Sequence, residues 1–160
     1  MTGSEATVAA AVNGLTTAEG QRPRVAVVGG TQSAALVAMV LCEQFGCSAI
    51  SAPTGESVLA LLRRDTPLDM VVIDLSVSDM DGLVAVQLIR ALGSRGALPV
   101  IALTNDRAEV AGARGFAGVV VKPYSPRELY GAMEAALTRT TARAIDASRS
   151  SGHADARAPH

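Results

Sequence analysis

The sequence predicts an α/β fold: an open, doubly wound sheet of five parallel strands in a three-layer α/β/α arrangement. Three observations predict it. Short β-branched runs alternate with helix-period segments five times between Arg24 and Leu137. Two runs, Met70 to Ile73 and Pro99 to Leu103, are apolar without alternation, as strands buried on both faces are. Three consecutive strands end on polar residues, Asp74, Thr104 and Lys122, which brings those residues to one sheet edge. In open α/β sheets, ligands bind outside the carboxyl ends of the strands.

Each element has a local reason. Residues 1–22 are small and polar, with Gly3, Gly14 and Gly20, and read as a mobile arm. Arg24 to Val28 is the first strand, broken by Gly29-Gly30. Ala34, Val37, Ala38, Leu41 and Phe45 recur at helical spacing, which assigns them to the inward face of a helix that Gly46 closes. Cys47 to Ala52 is a weak second strand. Thr54 caps a helix carrying Val58, Leu61 and Leu62, and Glu56 in its first turn suits the helix dipole. Arg63-Arg64-Asp65 ends it, and Pro67 follows.

The Asp74 strand leads into a helix from about Gly82 to Leu92, with Val84, Leu88 and Ile89 inward. After the Pro99–Thr104 strand, Asp106 and Glu109 have capping-box spacing for a short helix that Gly112 and Gly115 weaken. Gly118 to Val121 is the fifth strand. Ser125-Pro126-Arg127-Glu128 supplies a cap, a proline at the first helical position and a glutamate at the third. It opens the last helix, with Leu129, Met133, Ala136 and Leu137 on one face. The Ala/Ser/Arg/Gly composition from about Thr140 onward reads as a disordered tail. The expected domain is thus 23–138, between an arm (1–22) and a tail (139–160).

Composition excludes several function classes. The chain has 160 residues, 49% of them apolar, and a formal net charge of −1. That is enough for one domain with a real core. No basic patch points to nucleic acid. The longest apolar run, Ala34 to Cys42, is too short to span a bilayer. No basic residue precedes Arg22, so the charged start of a signal peptide is missing, and a cytoplasmic location is expected. Cys42 and Cys47 fit neither a Cys-x-x-Cys motif nor a metal-site spacing, and suit a reducing compartment. Both histidines, His153 and His160, lie in the tail, which excludes a folded Ser-His-Asp triad or a histidine zinc site. Gly29-Gly30 before a helix could present backbone N–H groups to phosphate. It does not match Gly-x-Gly-x-x-Gly, however, and no acidic ribose partner follows the second strand, so a nucleotide-binding domain ranks last.

Lys122 is the only lysine, and it precedes a proline at the end of a strand. The Asp74 strand, Met80-Asp81-Gly82, Pro99 to Thr104, and Lys122-Pro123 follow one another in an order that resembles the receiver domain of bacterial two-component response regulators. The resemblance covers roughly residues 23–138. It implies a flavodoxin-like sheet of order 2-1-3-4-5 and a cis Lys122-Pro123 bond. It implies Asp74 as phosphoacceptor, Thr104 as hydroxyl sensor and Lys122 as charge partner. The residue types suit those roles. A carboxylate can attack a phosphohistidine, a lysine can offset the incoming charge, and a threonine hydroxyl can turn to donate to a phosphoryl oxygen. The implied partners are a histidine kinase or phosphotransfer protein and a downstream protein target, with no enzymatic activity of its own.

The departures are specific. The two acidic residues that hold Mg²⁺ in the family are Gly29 and Gly30 here. Asp74 and the Ser76 carbonyl alone would leave Mg²⁺ mostly hydrated and weakly held, and aspartates at both glycines would be expected to recover it. Asp79 and Asp81 read as solvated turn residues. Ser78 replaces the usual loop proline, and Val119 stands at the aromatic switch position. The interval from Thr104 to Lys122 is about one helical turn short. Leu36, Met39 and Val40 lie off the inward stripe of the first helix and read as a contact surface for a partner helix bundle or a homodimer. The reading is an atypical, single-domain response regulator that signals through protein contact, with a phosphorylation-independent interaction module as the alternative.

Overall fold

The computed structural model describes residues 14–17, 19–29, 33–75, 82–92, 97–110 and 115–139. The elements are β1 (Arg24–Val28), α1 (Ser33–Gln44), β2 (Ser48–Ala52), α2 (Gly55–Arg63), β3 (Met70–Asp74), α3 (Gly82–Arg90), β4 (Val100–Thr104), a 3₁₀ turn (Arg107–Val110) and β5 (Gly118–Val121). A last helix, α4, spans 126–139. All strand pairs are parallel, as the strand–helix alternation predicts, in the order β2-β1-β3-β4-β5 that the resemblance implies.

The sheet divides the core in two. Val25, Val27, Met70, Val72, Ile101 and Leu103 pack with α1 and α4. Ala26, Val28, Val71, Ile73 and Val100 pack with α2 and α3. Successive side chains thus alternate faces even in strands that are apolar throughout, because the pleat has period two. β3 and β4 are buried along their whole length.

Local signals end the elements. Thr54 and Ser57 form a reciprocal capping box at α2, with Ser57 N donating to Thr54 Oγ1 (3.1 Å) and Thr54 N to Ser57 Oγ (2.9 Å). Ser125 and Glu128 do the same for α4, with distances of 3.2 and 2.8 Å. Asp69 clamps the start of β1: its Oδ2 accepts from Arg24 N (2.8 Å) while its own N donates to Arg24 O (2.7 Å). The turn after α1 needs Gly46, whose φ is +91°.

Four expectations are corrected. Residues 14–17 do not hang free: Leu15 is 5% exposed in the core, and its N–H donates to Phe45 O (3.0 Å). In α1 the buried residues are Ala35, Ala38, Leu41 and Cys42, and Met39 packs against them; Val37, expected inward, is 49% exposed. With no charge from Ala34 to Cys42, nothing in the sequence fixes the helix's rotation, and the buried stripe lies about one residue off. In α3, Ala85, Val86 and Ile89 are buried, whereas Val84 and Leu88, also expected inward, are exposed. After β4 the expected short helix is one 3₁₀ turn; Asp106 does cap it, with Oδ1 accepting from Ala108 N (2.9 Å). The 1–13 stretch of the arm, the tail from Thr140 and the 76–81 loop lie outside the described residues.

Candidate functional site

β3 carries Asp74 to the C-terminal edge of the sheet at its centre, next to β1 and β4. Its side chain is buried, and Oδ1 accepts from Lys122 Nζ at 2.9 Å. Lys122 follows β5, and its side chain is 15% exposed, so the ion pair is nearly desolvated. A buried carboxylate is tolerable when a cation of this kind faces it. The Lys122-Pro123 peptide bond is cis, as the resemblance implies.

Thr104 ends β4 and is 1% exposed. Its hydroxyl is engaged in the loop that follows, donating to Asp106 O (3.0 Å) and accepting from Asp106 N (3.2 Å). Its carbonyl accepts from Lys122 N at 2.7 Å. The backbone therefore ties the threonine to the lysine that holds Asp74. The structure brings Asp74 and Lys122 into contact and sets Thr104 on the neighbouring strand end, one residue beyond Leu103, the register partner of Asp74.

Tyr124 was not singled out from the sequence. It is half-buried against the α1/α4 core, and its phenol is pushed up to about 12, first by burial, then by the neighbouring Cys42 and Asp74. Its position directly after Lys122-Pro123 is the signal that could have found it.

Gly29 forms the β1 side of the site. Its φ is +150°, a conformation that side-chain-bearing residues rarely adopt. A Cβ there would lie 2.8 Å from Ala35 Cβ and 3.2 Å from Asp74 Cβ. The backbone is thus packed onto the Asp74 side chain, with no room for a carboxylate arm in this conformation. Mg²⁺ requires several hard oxygen ligands in near-octahedral geometry. Among the described residues no group of three or more His, Cys, Asp or Glu could hold a metal ion. The described residues supply one carboxylate here, Asp74, which already faces an ammonium, and they do not by themselves make a Mg²⁺ site. Gly30, Ser76, Ser78, Asp79 and Asp81 lie outside the described residues.

Of the residues expected to form a contact surface, Leu36 and Val40 are 55% and 56% exposed, while Met39 is partly buried against the core. Val37 joins the exposed pair.

A doubly wound five-stranded sheet with a buried carboxylate–lysine pair at its C-terminal edge is the architecture of a receiver-type domain. The profile of the response regulator receiver domain matches residues 25–134, and the chain belongs to that family. A response regulator from Chloroflexus aurantiacus superposes with a TM-score of 0.68 at 20% identity, covering 74% of this chain and 99% of that one. A CheY-like receiver domain from Methylobacillus flagellatus gives 0.63 at 23% identity, covering 72% and 99%. In sequence, a probable transcriptional regulator, ycf27, of Porphyridium aerugineum is 28% identical over 120 residues, which are 74% of this chain and 50% of that protein. An uncharacterised 14.6 kDa protein of Leptolyngbya boryana is 34% identical over 94 residues, 56% of this chain and 70% of that protein. The chain spans about half the length of the ycf27 relatives. No helix among the described residues is long and apolar enough to cross a membrane.

Proposed function

We propose that the protein is a receiver that accepts a phosphoryl group on Asp74 from a histidine kinase or phosphotransfer protein and signals through protein contact in the bacterial cytoplasm. The observation that carries this reading is the 2.9 Å ion pair between Lys122 Nζ and Asp74 Oδ1, nearly dry, at the sheet's C-terminal edge. In the transfer, a carboxylate oxygen attacks phosphorus. The P–N bond breaks, its electron pair goes to the imidazole, and the imidazole takes a proton. Lys122 supplies the fixed positive charge for the phosphoryl oxygens. Thr104 joins only after its hydroxyl leaves the Asp106 turn, a rotation that would also free the 3₁₀ turn that Asp106 caps. Metal affinity is weak in this reading, because Gly29 supplies no oxygen ligand from a side chain.

The partner surface is the exposed face of α1, with Leu36, Val37 and Val40 at its centre and Met39 beneath it. An apolar cluster on a helix with no charge from Ala34 to Cys42 suits a partner helix bundle or a second copy of the chain.

A second reading, a phosphorylation-independent interaction module, is favoured by the packing of Gly29 against Asp74 Cβ and Ala35. Mobility shift of the full chain on a phosphate-binding gel after treatment with acetyl phosphate, with and without Mg²⁺, separates the two. A shifted band that is lost in Asp74→Asn supports the acceptor. No shift under either condition leaves the interaction module.

A further inference from the structure

α1 ends in a hydrogen-bond pattern that brings the backbones of two cysteines together. Cys47 N donates to Cys42 O at 2.9 Å, and Gly46 N donates to Glu43 O at 3.1 Å. These are the 6→1 and 5→2 bonds of a Schellman motif, with Gly46 in the left-handed position at φ +91°. In this motif the residues that Cys42 and Cys47 occupy commonly touch through their side chains. With standard backbone dimensions, the 2.9 Å bond limits the Cα–Cα separation to about 6.8 Å, within the range a disulfide spans. Both cysteines are free, buried, and members of the same core cluster.

The turn they bracket is a junction. Phe45 O accepts from Leu15 N, and the Phe45 ring meets Tyr130 of α4 edge-on at 5.1 Å. Ser48 N donates to Pro23 O at 2.8 Å just beyond it. A cross-link here would fix the chain before β1, the end of α1 and the middle of α4 to one another.

We propose that Cys42 and Cys47 form a redox pair, a dithiol at rest that a small-molecule disulfide converts to an intrachain disulfide locking the C-terminal turn of α1. One thiolate attacks a sulfur of oxidised glutathione and expels a glutathione thiolate, which takes up a proton. The second cysteine, as thiolate, attacks the resulting mixed disulfide and expels the second glutathione. The protein loses two protons and two electrons, and the glutathione disulfide gains them. Burial is the main reason that both thiols are pushed up to about 12, so thiolate is scarce at neutral pH and attack follows opening of the turn.

The test incubates the full chain with oxidised glutathione at mildly alkaline pH in the absence of denaturant. Thiols are then alkylated in denaturant and the chain is weighed by mass spectrometry. The expected result is joint loss of both thiols with loss of two hydrogens. Cleavage after Glu43 should leave the two fragments joined, and dithiothreitol should restore both thiols. Cys42→Ala and Cys47→Ala should each retain one bound glutathione instead. In the oxidised wild type, the Leu15 and Cys47 amides should exchange hydrogen at least several-fold more slowly. The proposal is overturned by two alkylatable thiols after treatment, by a stable mixed disulfide in the wild type, or by a bond between two chains. Unchanged exchange at those amides overturns the locking role.

Discussion

Gly29→Ala is a sharp test of how the site is built. The substitution adds one methyl group, which would meet Ala35 Cβ at 2.8 Å and Asp74 Cβ at 3.2 Å, and it forces a side chain onto a φ of +150°. A conformation that is essentially glycine-only costs ~1–3 kcal/mol for other residues. Overpacking a filled site costs ~1–3 kcal/mol more. The expected loss is therefore about 2–6 kcal/mol, a large share of the ~5–15 kcal/mol that stabilises an ordinary domain. In a domain of this size each kcal/mol shifts the melting temperature by ~3–4 °C, so a fall of roughly 6–24 °C is expected. Urea unfolding followed by circular dichroism gives the free energy directly. Ala35→Gly removes the nearer contact but leaves the φ strain. The double-mutant cycle should thus show favourable coupling of ~1–2 kcal/mol between the two positions. A loss below ~0.5 kcal/mol for Gly29→Ala, within the scatter of neutral surface changes, would refute the tight packing of β1 on Asp74. By the same geometry, Gly29→Asp on its own should also destabilise the domain.

Four further outcomes follow from the coordinates. Asp74→Asn should abolish the phosphate-dependent gel shift and cost ~1–3 kcal/mol, because Lys122 loses its charged acceptor in a nearly dry site; urea unfolding measures the cost. Leu36→Glu and Val40→Glu should change stability by less than ~0.5 kcal/mol but weaken self-association or partner capture in light scattering and pull-down; Met39→Glu should destabilise the fold itself. Ser125→Ala, which removes one half of a capping box, should cost ~1 kcal/mol by the same assay. Stability should fall on the alkaline side: Cys42 and Cys47 stay protonated in the folded chain to about 12 against 9.0 when unfolded, so their contribution is intact below pH 9 and is lost as pH rises towards 12. Melting temperatures across that window should flatten in the Cys42→Ala/Cys47→Ala chain.

What the sequence made legible had a short-range or a period-two cause. The strands were legible because β-branched runs ended on turn residues, and the caps at Thr54 and Ser125 because their partners lie three residues on. Asp74 and Lys122 could be paired because consecutive parallel strands must end at the same edge, so topology stood in for distance. Helix faces were legible only where polar residues flanked the apolar ones. Leu129, Met133, Ala136 and Leu137 are all buried in α4, which carries charges on its other side. In α1 every residue from Ala34 to Cys42 is apolar, and the rotation was decided by tertiary packing, which sends Met39 in and Val37 out. In α3 the same ambiguity exposed Val84 and Leu88.

Gly29 shows a different limit. As a letter it reads as a missing ligand, a position where chemistry was deleted. In the structure it lets β1 approach Asp74 closely, and Ala35, a small residue on α1, completes the contact. Asp74 meets an ammonium at 2.9 Å on the β5 side, and on the β1 side a Cβ at Gly29 would come within 3.2 Å of its own Cβ. Among the described residues, the groups placed to offset the charge of a phosphoryl group on Asp74 are Lys122 and, once its hydroxyl leaves Asp106, Thr104. A receiver arranged in this way should respond to phosphorylation mainly through β4, β5 and the turn that Asp106 caps, with the metal side of the site contributing little.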